Sequence, residues 1–220
     1  MNGKRVLFSI WDTRVKDYAK YAEANGLKPE KPDFMQGSTH PVVMVSWTDA
    51  RNFCQWLTDK DRAARKIGPR DKYRLPKDHE WSCAVGLGRL ENAYASPVSK
   101  SGVIETYSWG KRWPPPKNFG NFGPSLYVDR FDHTSPVGSF PPNRYGLYDT
   151  DGNVGQWCED KFAPKLEATW KSQDQDRVSR GSTWYSRSAC CMVLSHRGFG
   201  GPPAYVDILG FRCVLAVSGN

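Results

Sequence analysis

A short apolar run, Val6 to Ile10, reads as a strand, after which the apolar spacing lengthens into that of a helix. Thr13 offers an N-cap oxygen and Gly26 a left-handed exit, so the first helix is expected to run to Asn25. Loop residues from Leu27 to His40 lead into a second apolar run, Pro41 to Val45, expected as another strand. Ser46 or Thr48 then caps a second helix in which Ala50, Phe53, Cys54 and Leu57 fall at i, i+3, i+4 and i+7. That stripe has to be buried, while the DKDRAARKIG segment at its far end is exposed. Tyr73 to Leu75 reads as a brief strand, Pro76 as a turn, and Asp78 to Val85 as a third helix with Trp81 and Ala84 inward. From about Gly86 to Ser139 no period persists, and glycine, proline and aromatics dominate, as in WGKRWPPPKNFGNFG. A stretch this long without its own ladder is functional or tied down from outside, and metal is the candidate tie.

The pattern changes again near the C-terminus. Between Tyr185 and Leu209 there is no Lys, Glu, Gln or Asn, although the chain is rich in charge; Gly, Pro, Ser and aromatics take their place. Such a segment reads as loop surface, framed by RGSTW before it and GFRCV after it.

Composition narrows the picture in four ways. At 220 residues with no repeat or low-complexity linker, one domain over 1–220 is expected, cut from a longer chain. No apolar run approaches a membrane span and MNGKRVLFSIW lacks the apolar region of a secretory signal, which leaves location open between the cytoplasm and a surface attachment through another segment. The net charge of +8 is spread among acids rather than gathered into a basic block, so nucleic acid is not the expected partner. Cys54, Cys83, Cys158, Cys190, Cys191 and Cys213 show no zinc-finger spacing; Cys54, Cys83, Cys158 and Cys213 stand among apolar residues and are expected as buried free thiols. A vicinal bridge between Cys190 and Cys191 would be strained.

Four ordered motifs, HPVVMVSWTDARNFCQWL, YRLPKDHEW, YGLYDTDGNVGQWCED and RGSTW…GFRC, together resemble the formylglycine-generating-enzyme (sulfatase-modifying-factor) family. The resemblance implies an α+β, C-type lectin-like fold of the formylglycine-generating-enzyme type, loop-rich with short strands and two or three helices. It also implies structural calcium, which takes hard oxygen ligands from flexible loops. The first set maps onto Asn121, the Phe122 carbonyl, Asp129 and the Phe131 carbonyl; the second onto Asp149, Gly152, Val154 and Gln156, where the family's Asn and Glu are replaced.

The family's oxidases hold copper(I) with two cysteines five residues apart, as soft thiolates. Counted from Trp184 those places are Ser186 and Cys191, so one thiolate is missing, and no copper and no enzyme activity are expected. The framing residues keep the spacing of closely similar family members: Trp184, MVLS from Met192 to Ser195, Arg197, Pro202 and Gly210-Phe211-Arg212. The contents change at Tyr185, Ser186, Ser188, Cys190, Cys191, His196, Gly198, Phe199, Gly200, Ala204, Tyr205, Val206, Asp207 and Ile208. Each of these residue types is reached by replacing adenines of an AAC or AAT codon, and Lys, Glu, Gln, Met and Trp, which are not, are absent there. The pattern resembles the variable proteins of diversity-generating retroelements. The expected function is a non-catalytic binding domain whose loops at about 185–209 recognise a protein or other macromolecule, with Trp184, Leu209, Phe211 and Arg212 as framework. The alternatives are a copper-dependent oxidase of the formylglycine-generating type working with Cys191, and an undiversified sensor domain fused to a kinase.

Overall fold

The stripe of the second helix finds its partners in the aromatic core. The computed structural model describes residues 5–163 and 175–218. In it α2 (Trp47–Ala63) buries Ala50, Phe53 and Cys54, and Ser46 caps it, its hydroxyl accepting the Asp49 N–H at 3.1 Å. Phe53 stacks on Tyr18 of α1 (Val15–Ala24) at 5.9 Å and meets Phe211 edge-on at 5.3 Å. Trp157 lies in the same cluster. Rings of this size carry much of the buried apolar area, which lets so few regular elements hold a core.

Seven strands and five helices are described. In chain order the first are β1 (Arg5–Phe8), α1, α2, β2 (Lys72–Arg74), α3 (Asp78–Ala84) and α4 (Pro97–Lys100). There follow β3 (Gly155–Lys161), β4 (Arg177–Arg180), α5 (Ala189–Met192), β5 (Gly198–Gly200), β6 (Leu209–Gly210) and β7 (Val214–Val217). They form an antiparallel sheet in the order β1-β7-β2 and a mixed sheet in the order β5-β4-β3-β6, in which only the short β6 runs parallel to β3. The fold is α+β with short strands. Between Gly86 and Ser139 only α4 and a single 3-10 turn at Pro124–Leu126 are regular, as the aperiodic pattern predicts. No described helix is long and apolar enough to cross a membrane.

Several expectations are corrected. Pro41 to Val45 is buried but is not a strand: Met44 sits at φ 54°, in the left-handed region, and ends any extended run. Its backbone is satisfied elsewhere, Val42 N–H donating to Thr13 O and Met44 N–H to Val206 O. Thr13 does not cap α1. Its backbone is stitched to Phe211 and Val42, and Arg14 takes the cap position, bound through its guanidinium to Asp17 at 2.7 Å. Cys54, Cys158 and Cys213 are buried and unbridged, with the Cys54 and Cys213 sulfurs 3.5 Å apart, whereas Cys83 is exposed because it leaves α3 on the solvent side beside His79. The segment read as uninterrupted loop surface contains α5 and β5. Each is four residues or fewer, too short to impose a period.

Candidate binding surface

A buried cluster of charges fixes the base of the C-terminal loops. Arg180 closes β4 and Arg197 precedes β5, and both reach Asp78 at the start of α3, where Lys100 joins at 2.8 Å. Arg197 also binds Glu91 at 2.6 Å. Each guanidinium further donates to the loop backbone, Arg180 to Leu194 O at 2.9 Å and Arg197 to Ser195 O at 2.6 Å. Burial alone would raise the Asp78 carboxyl, but the Arg180 and Arg197 guanidiniums prevail and hold it well below the usual carboxylate range. The sequence reading missed this cluster, whose residues are scattered over YRLPKDHEW, the aperiodic stretch after Gly86 and the C-terminal segment. Its only trace was Arg180 and Arg197 flanking an otherwise weakly charged loop.

Upon this base gather most of the side chains that the sequence expects to vary. Tyr185, Ser186, Ser188, Cys191, His196, Gly198, Phe199 and Ile208 line one shallow depression of about 350 Å³, together with Ser179, Thr183, Arg187 and Leu209. Tyr185 is 53% exposed, Phe199 38% and Tyr205 46%, while Trp184, Phe211 and Arg212 are buried as framework. Tyr185 is held from below by Trp184, ring centroids 5.7 Å apart, and from the side by Arg187, whose guanidinium lies 5.2 Å from its ring. Phe199 rests on buried Phe162 at 4.4 Å and stands opposite Val178 in the β4–β5 ladder.

The remaining positions flank the depression. The Asp49 carboxylate at the start of α2 raises the pKa of the Tyr205 hydroxyl. Ala204 and Asp207 are half-buried, and Val206 and Ile208 pack partly on the core. Cys190 is exposed and its sulfur stands 3.7 Å from that of Cys191, so the two thiols face each other rather than diverge. Two glycines do not fit a freely changeable set. A side chain at Gly198 would meet Ser179 Oγ at 2.5 Å, and one at Gly200 would meet the Trp157 ring at 2.9 Å. The Ser179 hydroxyl can turn aside, whereas the Trp157 ring is packed in the core, so Gly200 is the more constrained of the two.

The calcium loops differ from each other. In the first, Asn121 Oδ1 is buried without a hydrogen-bond partner, a demand that a cation would meet. The Asp129 carboxylate accepts the Phe122 N–H at 3.0 Å and the Phe131 N–H at 2.9 Å, one on each oxygen, which leaves lone pairs free. Burial raises its pKa. These residues fit the ion, Asn121 and Asp129 by side chain and Phe122 and Phe131 by carbonyl. The second set does not fit. Gln156 Oε1 already accepts from Trp81 Nε1 at 2.9 Å and from Arg212 Nε at 2.8 Å, and its amide nitrogen donates to Asp149 O at 2.8 Å. An amide oxygen has two lone pairs and both are used. Arg212 also donates to Asp149 O, so a guanidinium already supplies positive charge between Asp149 and Gln156, and the set with Gly152 and Val154 is left without its two side-chain positions.

The sulfatase-modifying factor enzyme 1-like domain model matches residues 8–217. The formylglycine-generating enzyme of Mus musculus is 32% identical over 202 residues, 86% of this chain and 48% of the relative. The inactive C-alpha-formylglycine-generating enzyme 2 of Bos taurus is 34% identical over 184 residues, 79% of this chain and 49% of the relative. The chain thus spans about half the length of the curated relatives it matches. Among solved structures, PvdO from Pseudomonas aeruginosa superposes with a TM-score of 0.70 at 25% identity, covering 96% of this chain and 80% of that one. Treponema denticola variable protein 1 superposes at 0.62 and 21% identity, covering 95% and 84%, a likeness of fold. Four motifs, the α+β architecture and a family model spanning nearly every described residue agree: the chain belongs to the sulfatase-modifying factor enzyme 1-like domain family.

Proposed function

We propose that the chain is a non-catalytic binding domain whose C-terminal loops recognise a protein, and that the contact residues are diversified while the frame is kept. One observation carries this reading: eight of the fourteen changeable positions line one open depression, whereas the framing residues Trp184, Met192 to Ser195 and Arg197 are buried. Loops held by a fixed frame accept substitution without unfolding, and Tyr185 and Phe199 supply rigid contact area at small entropic cost. The inactive bovine relative and the fold shared with a variable protein support such a role for this scaffold. Calcium at Asn121, Phe122, Asp129 and Phe131 belongs to the same reading, as a tie for the loop that leans on the depression through the Gly123 N–H to Ser186 O bond of 2.8 Å.

The test is genetic and direct. Sequencing the locus and its surroundings in several isolates is expected to show a reverse transcriptase, a near-copy of the segment encoding 185–209 with adenines at the changed positions, and differences confined to those codons. Differences spread equally over Trp184, Arg197 and Phe211 would sink the diversification.

A second reading has one observation in its favour. The facing thiols of Cys190 and Cys191 supply, in an unexpected place, the paired sulfur that Ser186 lacks for a copper oxidase. Copper-dependent oxygen uptake with a cysteine peptide, lost on Cys191→Ser, would establish it; its absence is the expected result.

A further inference from the structure

The depression is one-sided in charge. Its lining offers Arg187, His196 and the hydroxyls of Ser179, Thr183, Ser186 and Ser188, and no Asp or Glu, in a chain that carries 23 acidic residues. Arg187 is exposed and has no ion-pair partner among the described residues; its guanidinium is already oriented by the Tyr185 ring. Its position lies outside the changeable set, yet Tyr185, Ser186 and Ser188 surround it. Burial lowers the pKa of His196, and the nearby Arg180 and Arg197 push it the same way, so Arg187 is the one full charge in the lining. Phe199, Ile208 and Leu209 form apolar walls beside these donors.

We propose that this depression takes a single carboxylate displayed by the protein ligand, paired with Arg187 and the surrounding hydroxyls, with an apolar neighbour of that carboxylate laid on Phe199 and Ile208. The inference rests on the binding-domain reading above and names its ligand chemistry. A planar guanidinium matches a carboxylate with two parallel hydrogen bonds, and one already stacked on an aromatic ring loses little freedom on binding. A phosphoryl group, with nearly two charges and three acceptor oxygens, calls for a cluster of cations, whereas the lining has one. Arg187 would thus be a constant anchor for acidic ligands, while the residues around it select among them. The net charge of +8 would steer such ligands toward the chain.

The experiment uses the intact chain on a synthetic peptide array. On matched apolar backgrounds the peptides carry an internal Asp or Glu, the corresponding Asn or Gln, a free C-terminal carboxyl, or phosphoserine. Probed in parallel are the wild type, Arg187→Gln, and the double variant Tyr185→Ser/Phe199→Ser, each checked for an unchanged thermal midpoint. The expected result is that carboxylate peptides bind the wild type about ten- to a hundredfold more tightly than their amide counterparts, and that Arg187→Gln abolishes the difference. Preference for the internal or the C-terminal acid identifies the source of the carboxylate. Binding that is indifferent to charge, or tighter with phosphoserine, overturns the inference and leaves the binding face standing. Peptides held equally by the double variant, or by none of the three proteins above a blank surface, overturn the binding-face reading together with it.

Discussion

Asp78 is the residue on which the C-terminal loops most depend. Replacing it by Asn removes the carboxylate that Arg180, Arg197 and Lys100 share, leaving buried cations facing one another. Breaking a buried ionic network from one side costs about 3–5 kcal/mol. Asp78→Asn is therefore expected to lower the unfolding free energy measured in urea by that scale, and a loss below about 1 kcal/mol would show that the network does not hold the fold. The pH dependence has a definite sign. The folded pKa of Asp78 lies below the unfolded one, so its contribution is present above the ordinary carboxylate range and is lost as pH falls beneath it. Asp12 acts the other way. Its carboxyl, fully buried and with Arg212 Nη2 only at 3.4 Å, is raised by burial, against the pull of Arg212, to about 8. The stability it contributes is present in acid and is lost as pH rises from the unfolded carboxylate range through about 8. Asp12→Asn is expected to flatten that decline in thermal melts taken at successive pH values, and an unchanged slope would assign it to other groups.

At the level of elements, close backbone approaches limit what can change. Gly152 sits at φ +85°, and a Cβ there would meet Asn121 O at 2.6 Å, so Gly152→Ala combines a strained turn with a clash between the two loops beneath the depression. It is expected to cost more than about 2 kcal/mol in chemical denaturation. Gly26→Ala, also at positive φ but with open space around it, is expected to cost about 1 kcal/mol; equal costs at the two sites would remove the role of contact. The apolar stripe of α2, the inward Trp81 of α3 and the absence of period from Gly86 to Ser139 were all legible, since helical spacing and its loss are local signals. β3 was not, because GQWCEDK is buried from Gly155 to Cys158, Trp157 among side chains of α1 and α2 and Cys158 beside Trp81 of α3, rather than alternating like a half-exposed strand. β5 and β6 were not, because three and two residues define no period. Of the site, Tyr185, Phe199 and Tyr205 were legible as exposed aromatics. The Ser179 hydroxyl beneath Gly198 and the Trp157 ring beneath Gly200 were not legible, because composition cannot reveal what lies under a glycine.

For the whole molecule, calcium provides a test of how the long loop is held. Adding calcium at about a hundred times its dissociation constant is expected to contribute about 2.7 kcal/mol to stability, a rise of several degrees in thermal midpoint. Asp129→Asn is expected to remove the rise, whereas Gln156→Glu, in the set that Arg212 already occupies, is expected to leave it intact. A rise that survives Asp129→Asn would place the ion elsewhere. The two arginines converging on Asp78 have a consequence of a different kind. They stand at the feet of an arch whose span is anchored by charge at its ends and by the buried Trp184 and Met192 to Leu194, and not by the exposed side chains of its crown. Crowns exchanged between members that keep both feet should therefore transplant as cassettes, carrying their preferences with them onto a foreign body.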